Sequence, residues 1–95
     1  MKRDSLEFLT LRDYLYYLEN LCVGVNMGIL DREVIDRSMG AYIQGAWRLY
    51  ESWILREREN LQRIVYDELE ACAKELAALD QADPRPSYIR YYRPG

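Results

Sequence analysis

Leu11, Leu15, Leu18, Cys22 and Val25 recur at intervals of four, three, four and three residues, and Val65, Leu69, Cys72, Leu76 and Leu79 repeat the same rhythm. Such spacing lays five apolar side chains along one stripe of an α-helix and does not fit the two-residue period of a strand. The two stripes commit both ends of the chain to helices that must bury one face. No segment alternates as a strand would, so the expectation is an all-α fold, a compact bundle of about four helices near residues 11–27, 32–39, 41–56 and 61–82. Leu18, Cys22, Ile43, Trp47, Leu69 and Cys72 are expected inside.

The helix ends are marked locally. Thr10 is a plausible N-cap for the first helix, with Asp13 in its first turn, and Asp4 or Ser5 offers a shorter turn ahead of it. Gly28 suits the left-handed position just past a helix end, because it has no Cβ to clash. Asp31 then caps the second helix, Glu33 favours its start, and Leu30 can pack on Ile35 as a hydrophobic staple. Ile29 and Leu30 separate stop from start, so this corner is expected to tuck against the core. Gly40 ends or kinks the second helix, and Gly45, in the third, would let another helix approach closely. Asn60 is the candidate cap of the last helix, unless the third runs through "LREREN" into it. Glu59–Arg63 and Glu70–Lys74 pair acid before base on its solvated side. "DPRP" from Asp83 terminates it.

With 95 residues, one domain over 1–83 and a tail over 84–95 are expected. The tail carries Arg85, Arg90 and Arg93 without an acid, while ten Lys and Arg face all sixteen Asp and Glu over residues 1–83, a balance of −6. An acidic body disfavours phosphate backbones, so nucleic acid is an unfavoured partner. No apolar run is long enough to cross a membrane and no secretory leader opens the chain. With two cysteines fifty residues apart, a reducing, cytoplasmic setting is expected.

"YLYYLENLCVGVNMGILD", "MGAYIQGAWRLYESWI" and "IVYDELEACAKE" occur in that order. Together they resemble domain of unknown function 4760, a family of bacterial and phage proteins, over about residues 14–76. Tyr14, Leu18, Glu19, Gly24, Gly28, Asp31, Gly40, Trp47, Ile54, Tyr66 and Glu70 carry the resemblance. It implies an all-α fold and no particular activity. Many family members have transmembrane helices ahead of this region; none is read here, and no membrane role is expected.

Catalysis is disfavoured. The chain has no histidine, the commonest general base and metal ligand, and neither GxxxxGK[ST] nor GxGxxG occurs. No catalytic residue, cofactor, metal or small-molecule substrate is expected. Cys22 and Cys72 fall on apolar stripes as structural thiols, and Trp47 and Trp53 read as core. Glu19 borders the first stripe and is expected to pair with an arginine such as Arg48 or Arg56. Asp67, Glu68 and Glu70 read as a solvated face. The leading functional expectation is a small interaction protein of phage or prophage type that binds and modulates a host protein. The alternative is a self-associating, dimeric structural or regulatory module, with the last helix as seam. The candidate partner-binding residues are Arg85, Tyr88, Arg90, Tyr91, Tyr92 and Arg93, types that combine apolar area with donors and charge. The tail is either a loose terminus or a contact that folds onto its own acidic body, a second copy or an acidic partner.

Overall fold

A computed structural model describes residues 2–92 and 94. Three long helices and one short turn make up the fold: α1 (Leu6–Asn26), α2 (Arg32–Leu61), α3 (Asp67–Ala82) and α4 (Ser87–Arg90). No strand occurs among the described residues. The all-α reading holds, and all six expected core residues are buried. Phe8 stacks against Trp53 with ring centroids 5.6 Å apart, and Arg3 pairs with Glu57. The start of α1 therefore lies beside the end of α2, as in an antiparallel hairpin. α3 runs antiparallel to α2, with Arg58 bound to Glu70 near one end and Gln44 to Asp80 near the other. Its apolar stripe closes the core between α1 and α2, while its other side stays exposed.

Several boundaries differ from expectation, each for a physical reason. α1 begins five residues before Leu11, because Ser5 caps it by accepting from the Phe8 amide and the added turn buries Phe8. Thr10 lies inside the helix. α2 runs straight through Gly40, so the expected second and third helices are one. A Cβ at position 40 would sit 2.6 Å from Asp36 Oδ1. The glycine makes room for that carboxylate and breaks nothing. Around Gly45 no helix approaches; an added Cβ would meet only Arg48 Nη2, at 3.9 Å. α2 ends at Gln62 in a left-handed conformation, and Tyr66, also left-handed, precedes α3. Asn60 caps nothing there, the helices are not continuous, and Arg63 lies beyond α2. Arg58 holds this corner by donating to the Val65 carbonyl at 2.9 Å and to Glu70 at 2.9 Å.

The α1–α2 corner closes as anticipated. Gly28 has φ +77°, Ile29 donates to the Gly24 carbonyl, and Gly28 donates to Val25, which together form a Schellman cap. Of its apolar residues, Leu30 lies over Gly24, where an added Cβ would stand 2.6 Å from Leu30 Cδ1, whereas Ile29 is 72% exposed. The backbone hydrogen bonds hold the turn, so burial of Ile29 is not needed. Since nothing lies within 4 Å of an added Cβ at Gly28, substitutions there act through backbone conformation alone. Gly28→Val is expected to cost more than about 1 kcal/mol and Gly28→Asn clearly less, because asparagine tolerates the left-handed region. Urea denaturation of both variants checks the order.

Glu19 does not pair with Arg48 or Arg56. Its carboxylate accepts from the Leu69 amide at 2.6 Å and the Glu68 amide at 3.3 Å. α3 lacks a capping side chain of its own, so α1 supplies one across the core. Burial raises the Glu19 pKa above 4.5, and the neighbouring Asp67 and Glu68 charges add to the rise, while the two amides oppose it. The folded protein thus holds a proton on Glu19 to higher pH than the unfolded chain. Its contribution to stability is therefore greatest at low pH and declines as pH rises through the window just above 4.5. Glu19→Gln should remove that component, so the stability difference between wild type and variant shrinks across that window. Glu19→Ala, which loses the cap, should cost about 1 kcal/mol. Denaturant titrations at a series of pH values measure both.

Candidate functional site

After α3 the chain turns back on itself. Asp83 is extended before Pro84, and its carboxylate receives Arg85 at 2.8 and 2.6 Å. α4 then delivers Arg90 to a site assembled by α2 and α3. Arg90 Nη2 donates to Asp36 at 3.0 Å, and Nη1 pairs with Asp80 at 2.7 Å and donates to the Asp83 and Arg85 carbonyls. Tyr91 OH donates to the same Asp36 oxygen at 3.1 Å. The side chains of Asp36 and Arg90 are only 4% and 10% exposed. Burial alone would lower the pKa of Arg90, but Asp36 and Asp80 outweigh it and raise the value. The result is a clasp: a buried carboxylate on α2, made possible by Gly40 one turn later, grips the tail.

The expected tail residues divide accordingly. Arg85 is occupied by Asp83, and Arg90 and Tyr91 turn inward, so these three position the tail. Tyr88 and Tyr92 point outward, 61% and 72% exposed, with Ile89 between them. They and the two arginines line a shallow hollow of about 330 Å³. Arg93 lies outside the described residues. Of the tail's three folded alternatives, the structure shows the first, docking on its own acidic body. Sequence reasoning missed Asp36 and Asp80 as the receiving groups.

Elsewhere the ionisable groups serve packing. Cys22 and Cys72 are free and buried, and hydrogen bonding to Cys72 together with burial pushes the Cys22 thiol up. Trp47 lies buried beneath Arg58 and Lys74, whose cationic groups stand 5.8 and 5.7 Å from its ring. Trp53 packs between Phe8 and Tyr66. Among the described residues no three His, Cys, Asp or Glu side chains cluster to hold a metal ion, and no helix is long and apolar enough to cross a membrane.

Comparisons with curated proteins and with solved structures returned no match. A family model, Domain of unknown function (DUF4760), matches residues 1–76. The matched region contains Asp36 and ends before Asp80 and the tail. The match spans most of the chain, which therefore belongs to the domain of unknown function 4760 family.

Proposed function

We propose that this chain acts by binding another protein, without catalysis, in the cytoplasm, in the manner of a phage- or prophage-encoded modulator of a host protein. The observation that supports it is the division of labour in the tail. Burying an arginine and a carboxylate is energetically costly unless the pair is well made, and here that pair holds a segment whose outward side chains are two tyrosines and an isoleucine. A tail pinned in this way presents large apolar area in a fixed geometry, which lowers the entropy lost on binding. The fitting partner surface is a shallow apolar dimple that accepts Tyr88 and Tyr92. Tyr88→Ser combined with Tyr92→Ser should leave the melting temperature within a few degrees of wild type, since both side chains are exposed, and should abolish capture of the partner. Affinity capture from the native host with the full chain as bait, followed by mass spectrometry, tests this. If wild type and the double variant retain the same proteins, the tail is not the contact.

A further inference from the structure

Ten of the thirty residues of α2 are charged, yet one stripe of it, Ser38, Tyr42, Gly45, Leu49 and Ser52, carries no charge. This stripe lies on the flank away from α3, which α2 meets through Gln44, Trp47 and Arg58. Tyr42 and Leu49 are 59% and 71% exposed. Beside it, α1 contributes Glu7, Thr10 and Tyr14, which with Leu6, Leu11 and Tyr50 line a largely apolar groove of about 600 Å³. We infer that this α1–α2 face is where a second copy of the chain docks, as a two-fold dimer with the two α2 helices antiparallel and crossing at Gly45.

Three observations select a second copy as the occupant. The chain is acidic, at −3, so two copies repel wherever acidic surfaces meet, and a face where the Glu7 carboxylate is offset by the Arg48 guanidinium is where they approach without that opposition. The stripe is also nearly palindromic about Gly45: serines stand seven residues away on either side, and bulky side chains stand three residues before it and four after. A two-fold axis there sets Ser38 against Ser52 of the other copy and Tyr42 against Leu49, which is the self-complementarity an isologous interface demands. Gly45, where an added Cβ would meet only the movable end of the Arg48 side chain at 3.9 Å, lets the helices close at the crossing. Finally, the face is about 30 Å long, the length of α1, and about 20 Å across two helices. That allows about 600 Å² per copy, close to the lower bound for a stable interface.

The dimer uses none of the outward tail residues, so it stands apart from the proposed binding by Tyr88 and Tyr92. Sedimentation equilibrium of the full chain at tens of micromolar should give twice the 11.3 kDa monomer mass. Leu49→Glu should return it to a monomer with its helical circular dichroism and melting profile intact, since Leu49 is exposed in the single chain. Gly45→Cys should form a disulfide-linked dimer in oxidised glutathione, releasing reduced glutathione, while Ala78→Cys, exposed on α3 and off the stripe, should not. The native cysteines are buried and supply no background. The Tyr88→Ser, Tyr92→Ser double variant should dimerise like wild type. A wild-type chain that stays monomeric, a dimer that survives Leu49→Glu, or equal cross-linking at positions 45 and 78 overturns the inference.

Discussion

Arg90→Met is expected to lower the melting temperature by about 10 °C or more at neutral pH, because it strands a buried carboxylate. Asp36 would keep only the Tyr91 hydroxyl, and a nearly inaccessible charge without its cation is among the costliest defects a small domain can carry. Removing both partners at once should be far gentler: Asp36→Leu with Arg90→Met replaces an ion pair by apolar groups and should recover most of the loss. The comparison separates a clasp that matters through its pairing from a tail that merely covers surface. Thermal denaturation followed at 222 nm reads both, and equal losses in the single and double variants would refute the account.

Gly40→Ala should destabilise by about 2 kcal/mol, opposite in sign to the gain of about 1 kcal/mol that alanine normally brings to a helix interior. The added methyl would stand 2.6 Å from Asp36 Oδ1 and 3.9 Å from Leu76 Cδ1. The carboxylate must then leave the rotamer that meets Arg90 and Tyr91. In an Asp36→Ala background the obstacle is gone, and the same substitution should stabilise. This reversal, measured as a double-mutant cycle by urea denaturation, is the signature of a glycine kept for a neighbouring side chain. If Gly40→Ala stabilises both backgrounds, the glycine has no such role.

The two proposed contacts occupy different parts of one small chain. The tail offers Tyr88 and Tyr92 on α4, beyond the family-matched region, while the α1–α2 face lies within residues 1–76. Tyr88→Ser with Tyr92→Ser should therefore leave the assembly a dimer.

Local chemistry in the sequence determined the helical class, the two apolar stripes with Leu18, Cys22, Leu69 and Cys72 inside, the left-handed Gly28 and the Asp31 cap. Each depends on spacing or on one residue's backbone preference, which neighbours along the chain suffice to set. Tertiary structure decided the rest. Gly40 reads as a breaker until Asp36 is seen to occupy its vacant volume, and Glu19 reads as an arginine partner until the bare amides of α3 arrive from fifty residues away. Arg90 and Tyr91 looked like binding residues because their chemistry suits any acidic group, and only the packing of α2 against α3 specified that the group is the chain's own Asp36. Capping, pairing and close approach between distant segments are satisfied by whichever partner the fold brings within about 3 Å, and sequence order does not encode that distance.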